Sequence, residues 1–176
     1  LIVIGAGAAG LVTSYIAATV KAKVALVEKH KMGGDCLNYG CVPSKALIAV
    51  AKKIHTEKKI AEYGIKSAKI EFDFASVMKR VAGVVKKIEP NDSVERYTKL
   101  GVDCFSGEAK IISPYHVLIN GKEYSTKSIV IASGAEPYIP NIPGLNDIKY
   151  LTSETLWDLK KLPKKLLILG GGPIGC

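Results

Sequence analysis

Residues 5–10 read Gly-Ala-Gly-Ala-Ala-Gly, and no other segment limits the possible folds of this chain as tightly. The segment follows a continuous apolar run, Leu1 to Ile4, which reads as a buried parallel strand. It opens a stretch of small and apolar residues, Leu11 to Val20, that reads as a helix. A second buried strand, Val24 to Val27, follows and closes on Glu28. The first 28 residues are therefore a complete βαβ unit. In that context the glycine pattern reads as a dinucleotide phosphate loop. Gly5 permits the tight turn, Gly7 lets a pyrophosphate approach the backbone, and Gly10 lets the helix pack closely on the strand. Ala8, Ala9 and Gly10 carry N–H groups of the first helical turn, where free donors and the helix dipole favour an anion. Glu28 can accept hydrogen bonds from both ribose hydroxyls of an adenosine, and its charge would repel a 2′-phosphate. The competing reading is a glycine-rich turn with no ligand.

The second informative segment is Gly33-Gly34-Asp35-Cys36-Leu37-Asn38-Tyr39-Gly40-Cys41-Val42-Pro43-Ser44-Lys45. Its two thiols are separated by four residues. A structural zinc site needs about four ligands in all, and only His30 is nearby, while Cys104 and Cys176 are isolated. Two unrelated buried cysteines are a further alternative. A redox pair is the reading with a physical reason behind it: Cys41 precedes a helix whose N-terminus would stabilise a thiolate.

The rest of the chain alternates between helical and extended patterns. Lys29 to Gly40 reads as a loop, and a helix is expected from Pro43 to about Tyr63, ended by Gly64. Asp73 reads as the N-cap of a helix through Lys87, interrupted by Pro90, with a further piece to Leu100. Short strands are expected at Val102–Phe105, Ala109–Ile112, His116–Ile119 and Glu123–Ser125, with Asn120-Gly121 as a hairpin turn. Ser128 to Ala132 reads as another buried strand and Pro137 to Pro143 as irregular. Ser153 is expected to cap a short helix through Leu159. Leu166 to Leu169 reads as a last strand, running into Gly170-Gly171-Gly172-Pro173-Ile174-Gly175, so the pattern of the start recurs at the end.

Composition bears on a few exclusions. The net charge is +9, nearly all from Lys, with Arg only at Arg80 and Arg96. Many lysines fall between Lys52 and Lys59, with Lys66 and Lys69 beyond. This reads as a solvated helix face, not a nucleic-acid site, which would call for Arg and interleaved aromatics. Four cysteines are far too few for a disulfide-stapled secreted domain. No run suits a membrane span or a signal peptide. A cytoplasmic protein is expected.

These motifs together resemble the class I pyridine nucleotide-disulfide oxidoreductases, the flavoprotein disulfide reductases. The resemblance rests on the Gly5–Gly10 loop, Glu28, the Cys36–Lys45 block, Ser128 to Pro137, Ile142-Pro143-Gly144 and the Gly170–Gly175 loop. Val42-Pro43-Ser44-Lys45, Leu100 to Asp103, Gly107 to Ala109 and Tyr150 to Leu156 are most similar to mercuric reductases; dihydrolipoamide dehydrogenase is the alternative. A non-catalytic flavin-binding module, with Cys36 and Cys41 structural or sensory, is the competing class. The resemblance implies an α/β Rossmann-like FAD-binding domain: a parallel sheet with helices plus a small antiparallel meander. That domain would span 1–162, and 163–176 would begin an NAD(P)-binding domain otherwise absent from the chain. It implies FAD, with NAD(P)H in the full-length enzyme, and no resident metal. Electrons would pass from NAD(P)H to FAD, then to the Cys36–Cys41 disulfide, then to a small-molecule disulfide, a dithiol or Hg(II). Cys41 would face the flavin as a thiolate, Cys36 would meet substrate, and Lys45 would lie by the flavin. Gly5, Gly7, Ala8, Ala9, Gly10, Glu28, Lys29, Gly34 and Asp35 would line the cofactor. Ser133 and Gly134 would approach it with their backbone, and Ala109 would contact adenine. Asp35 and Tyr39 depart from the family pattern, Asp35 being placed to turn toward the ribityl hydroxyls or a solvated cation. Gly170, Gly172 and Gly175 would open the second dinucleotide site. The full-length protein would be a homodimer, and the fragment alone is expected to be inactive.

Overall fold

In the computed structural model, which describes residues 1–66 and 70–176, the apolar runs of the sequence become the central strands of a parallel sheet. Strand β1 is Ile2–Ile4, helix α1 Ala8–Thr19 and strand β2 Val24–Glu28. Helices α2 (Gly34–Asn38), α3 (Cys41–Lys58), α4 (Phe74–Ile88) and α5 (Val94–Lys99) follow. Strand β3 is Val102–Ser106, and β4 (Ala109–Ser113), β5 (His116–Ile119) and β6 (Lys122–Ser125) form a meander before β7 (Ile129–Ile131). The parallel sheet has the order β3-β2-β1-β7, and β4-β5-β6 is a separate antiparallel sheet. In register, Ile2 lies beside both Ala25 and Ile129.

The alternation of side chains along each strand divides the core into two layers. Val3, Val24, Leu26 and Val102 face the helices and pack with Leu11, Ala18 and Tyr97. Ile2 and Val27 face the other way and pack with Val117 and Ile119 of the meander. The meander is thus the second cover of a sheet whose strands must be apolar on both faces. Fully burying each of these Val, Leu and Ile side chains contributes about 1.5–3 kcal/mol. Tyr97 is buried with its hydroxyl donating to the Leu11 carbonyl at 3.2 Å, which ties α5 to α1.

Most expected elements are present. Asp73 caps α4 by accepting from the Ala75 and Ser76 N–H groups. Asn120 and Gly121 make the hairpin turn at φ 50° and 80°. Several expectations need correction. The Lys29–Gly40 loop contains α2, locked by the Asn38 side chain, whose amide donates to the Met32 and Gly34 carbonyls. Helix α3 starts at Cys41, not Pro43; Pro43 sits in the first turn, where the missing N–H costs nothing. The expected helix after Ser153 is only a 3-10 turn, Leu156–Asp158, because the Thr152 and Thr155 hydroxyls accept local N–H groups and compete with a helix. Leu166 to Leu169 is not a strand: no described strand lies beside it to pair with, and Leu167 is 85% exposed. The α3 helix ends at Lys58, with a 3-10 turn over Ile60–Tyr63 before Gly64. Lys69 of the lysine run lies outside the described residues.

Candidate active site: the glycine loop and the cysteine pair

The loop after β1 is shaped by collisions that only glycine avoids. A Cβ on Gly10 would lie 1.8 Å from the Gly5 carbonyl oxygen, and one on Gly5 would lie 2.2 Å from the Ala132 oxygen. A Cβ on Gly7 would have only the Gly34 Cα nearby, at 3.8 Å. Gly5 and Gly10 therefore satisfy the chain's own packing, while Gly7 faces open space. Helix α1 has no side-chain cap and no acid in its first turn, so its leading N–H groups, from exposed Ala8 and Ala9 onward, fit an anionic group. The residues present are those a pyrophosphate needs.

Glu28 stands at the carboxyl end of β2 and holds the loop with both oxygens. Oε2 accepts from the Ala6 N–H at 2.6 Å, and Oε1 accepts from the His30 N–H at 2.8 Å. Each oxygen retains a second lone pair for a ribose hydroxyl. The Glu28 carbonyl accepts from the Gly107 N–H at 2.8 Å, and the Asn120 amide donates to the Ser106 carbonyl at 2.9 Å. The hairpin turn therefore pins the crossover that leads to half-buried Ala109. Lys29 is exposed beside Glu28.

Helix α2 stands directly on this loop. The Gly33 N–H donates to the Ala6 carbonyl at 2.9 Å, and a Cβ on Gly34 would lie 2.6 Å from the Gly7 Cα. Cys36 lies in α2 and is half-buried; Cys41 is the first residue of α3 and exposed. The structure holds both as free thiols, near enough for Cys41 to shift the titration of Cys36. The Cys36 thiol is pushed above its ordinary range, first by its hydrogen bond to Cys41, then by burial and the charge of Cys41. The Lys45 charge and the Cys41 backbone N–H oppose this. Cys36 is therefore a thiol that holds its proton more tightly than an ordinary cysteine. Lys45 follows one turn along α3, exposed. Cys36 sits in a helix, not out in a loop, and it is the less exposed of the two sulfurs.

Cys36 also lines an open cleft of about 350 Å³ between α1 and α5, beside Val12, Tyr15, Asp92, Arg96 and Tyr97. Burial raises the Asp92 carboxyl, with Arg96 opposing. A wider cleft of about 440 Å³ lies at the other end of the strands, beside Leu1, Lys23 and Tyr124. Ligands of open parallel sheets bind at the carboxyl ends of the strands, so the cleft beside Cys36 is the one relevant to chemistry. Ser133 and Gly134 follow β7 at that carboxyl end, and a Cβ on Gly5 would lie 3.2 Å from the Ser133 Cα. Asp35 is exposed on α2, with its carbonyl accepting from the Tyr39 and Gly40 N–H groups at 2.8 and 2.6 Å. Cys104 is half-buried in β3 and packs against the helix-side core, where burial raises its thiol. Among the described residues, no group of three or more His, Cys, Asp or Glu gathers as for a metal ion. No described helix is long and apolar enough to cross a membrane.

The terminal loop repeats the geometry of the first. Gly170 has φ 107° and Gly5 φ 102°. A Cβ on Gly175 would lie 2.2 Å from the Gly170 oxygen and 3.4 Å from an Ile168 methyl, as one on Gly10 would meet Gly5 and Val3. Residues 1–176 match the family described as pyridine nucleotide-disulphide oxidoreductase. The chain belongs to that family. Membership implies FAD and a nicotinamide nucleotide as cofactors. Relatives carry both of the names weighed from the sequence. A dihydrolipoyl dehydrogenase of Acholeplasma laidlawii is 39% identical over 180 residues, 99% of this chain and 53% of the relative. A mercuric reductase of Lysinibacillus sphaericus is 38% identical over 175 residues, 99% of this chain and 32% of the relative. Among solved structures, the HOCl-induced flavoprotein disulfide reductase RclA from Escherichia coli superposes with a TM-score of 0.78 at 29% identity, over 99% of this chain and 37% of that one. This pyridine nucleotide-disulphide oxidoreductase chain thus spans about a third to a half of the length of these relatives. Sequence reasoning missed Tyr15, Asp92, Arg96 and Trp157 around the pair; none sits in a local motif, and only the fold brings them near.

Proposed function

We propose that the full-length protein is an NAD(P)H-dependent flavoprotein disulfide reductase, with Cys36 and Cys41 as its redox-active pair. The observation that carries this reading is the placement of the two cysteines on consecutive helices joined only by Tyr39 and Gly40, with the first helix standing on the glycine loop. When bound, the flavin supplies a two-electron relay between the nicotinamide and the sulfurs. The Gly5–Gly10 loop and the first turn of α1, at Ala8 and Ala9, hold its pyrophosphate. Glu28 receives the ribose, with Lys29, Gly34, Asp35, Ala109, Ser133 and Gly134 around the cofactor. Gly170, Gly172 and Gly175 open the nicotinamide nucleotide site.

Reduction of the Cys36–Cys41 disulfide takes up two electrons and one proton and leaves one thiol and one thiolate. The helix α3 N-terminus, which has neither a side-chain cap nor an acid in its first turn, favours the thiolate at Cys41. Lys45 adds positive charge on the same turn. Cys36 holds the remaining proton. Once it gives up that proton to the departing group, its sulfur attacks a substrate disulfide from the cleft and expels one substrate thiol. Cys41 then attacks the Cys36 sulfur, restores the internal bond and releases the second substrate thiolate. A mercuric reductase-like substrate range is favoured by Val42-Pro43-Ser44-Lys45, and the dihydrolipoyl dehydrogenase alternative by the 39% identity to such an enzyme. Dithionite titration of the full-length protein tests the pair: four electrons per flavin are expected, and two would reject it in favour of a plain flavin module. Parallel assays with lipoamide, glutathione and Hg(II) assign the substrate. We further propose a homodimer of cytoplasmic location, with domains divided at about residue 162 and the present chain inactive alone.

A further inference from the structure

Tyr39 and Gly40 form the joint between the helix that carries Cys36 and the helix that begins at Cys41. The N–H groups of both joint residues donate to the Asp35 carbonyl. The Tyr39 carbonyl has no such local partner. Were the helix continuous, that carbonyl would accept from the residue four positions on. That residue is Pro43, which has no N–H. An unpaired carbonyl in a partly buried position costs about as much as a lost hydrogen bond. The structure supplies the missing donor from far along the chain: the Trp157 indole Nε1–H donates to the Tyr39 carbonyl at 2.8 Å, across 118 residues. Trp157 is the chain's one tryptophan. It sits in the short turn Leu156–Asp158, within the segment that leads to the Gly170–Gly175 loop.

We infer that Trp157 is a positioning residue for the Cys36–Cys41 pair, acting through the Tyr39 carbonyl. The bond fixes the orientation of the 39–40 joint, and that joint sets how far apart the two sulfurs stand. A strained or loosened joint lowers the effective concentration of one thiol at the other, and so weakens the internal disulfide relative to the dithiol. The inference rests on the reading of the pair as redox-active.

The test uses two replacements in the full-length protein: Trp157→Phe, and the replacement of Trp157 by 3-benzothienylalanine, in which sulfur takes the place of Nε1–H in a ring of the same shape. The readout is the equilibrium between the Cys36–Cys41 disulfide and the dithiol in dithiothreitol buffers, measured by alkylation and mass spectrometry. Loss of one neutral hydrogen bond predicts a disulfide that is about three- to tenfold less stable in both variants. Flavin content and melting temperature serve as controls on the fold, and the benzothienyl variant retains the packing if the Phe variant does not. An unchanged equilibrium in a folded benzothienyl variant overturns the role of Trp157. Failure of the unsubstituted protein to form the Cys36–Cys41 disulfide at all overturns the redox reading instead, so the two failures are distinguishable.

Discussion

Replacing Glu28 with Ala should damage the loop even before any cofactor arrives. In the structure its carboxylate accepts from the Ala6 N–H at 2.6 Å and from the His30 N–H at 2.8 Å. A hydrogen bond to a charged group contributes about 1.5–3 kcal/mol. One of these two bonds, at His30, is exposed and is discounted accordingly, which leaves a total of about 3 kcal/mol. For a chain of this size that corresponds to a fall of about 6–12 °C in melting temperature. Glu28→Ala should therefore lower the melting temperature of the apoprotein, and it should also weaken FAD binding by about tenfold or more as the ribose acceptor is lost. Differential scanning fluorimetry with and without FAD, together with a flavin fluorescence titration, separates the two effects. An apoprotein melting temperature unchanged in Glu28→Ala would refute the bracing role. Full FAD affinity in the variant would refute the ribose assignment.

Gly34→Ala should cost about 1–3 kcal/mol or more, because its Cβ would lie 2.6 Å from the Gly7 Cα and its φ is 53°; denaturant unfolding reads the loss, and a variant as stable as the parent would mean that α2 is not pressed on the loop. In Cys41→Ala the hydrogen bond that most raises the Cys36 thiol disappears, so the midpoint of Cys36 alkylation against pH should move down; a midpoint that stays or rises contradicts the coupling. Cys104 should react with thiol reagents far more slowly than Cys41 in the native protein, since burial both covers it and raises its thiol, and equal rates would sink this. The Asp73 carboxyl is held below the ordinary carboxylate range by the Ser76 hydroxyl and backbone donors. Its contribution is thus present above the unfolded pKa and lost as pH falls through the lower folded one. Asp73→Asn should flatten that acid-side slope in melting temperature, and an unaltered slope would remove Asp73 as its source.

The parts of the fold legible in the sequence are those set by short-range rules. The β1–α1–β2 unit follows from apolar runs and a glycine spacing, and the Asp73 cap and the Asn120-Gly121 turn follow from local chemistry. Helix α2 was hidden because Gly33 and Gly34 signal a loop, while the Asn38 amide that closes the helix gives no periodic pattern over so short a length. The Leu166–Leu169 run reads as a strand because its composition demands burial, yet a strand exists only where a neighbour pairs with it. The site divides in the same way. The loop glycines, Glu28 and the two cysteines are visible as spaced residues, and the fold brings Gly34 against Gly7 and one thiol against the other. A loop over Lys29 to Gly40 would leave Cys36 open, but α2 turns it partly inward and Cys41, at the start of α3, is the exposed one. Arg96 and Trp157 approach from remote segments, so nothing near the cysteines in sequence announces them.

The three loop glycines answer to different masters, and lineages should treat them differently. Gly5 and Gly10 are required by backbone oxygens of the chain itself, at 2.2 and 1.8 Å from any added carbon, whether or not a nucleotide is ever bound. Gly7 meets nothing closer than 3.8 Å, so the chain alone makes no demand on it. A descendant that abandoned the cofactor but kept the fold would hold its first and last glycines and let the middle one drift to alanine or serine. Gly170 and Gly175 repeat the first-to-last relationship, so the same erosion at the second loop would leave Gly172 as the position to watch. Substitution at the middle glycine, with the outer two intact, is then a mark of lost nucleotide binding that can be read before any assay.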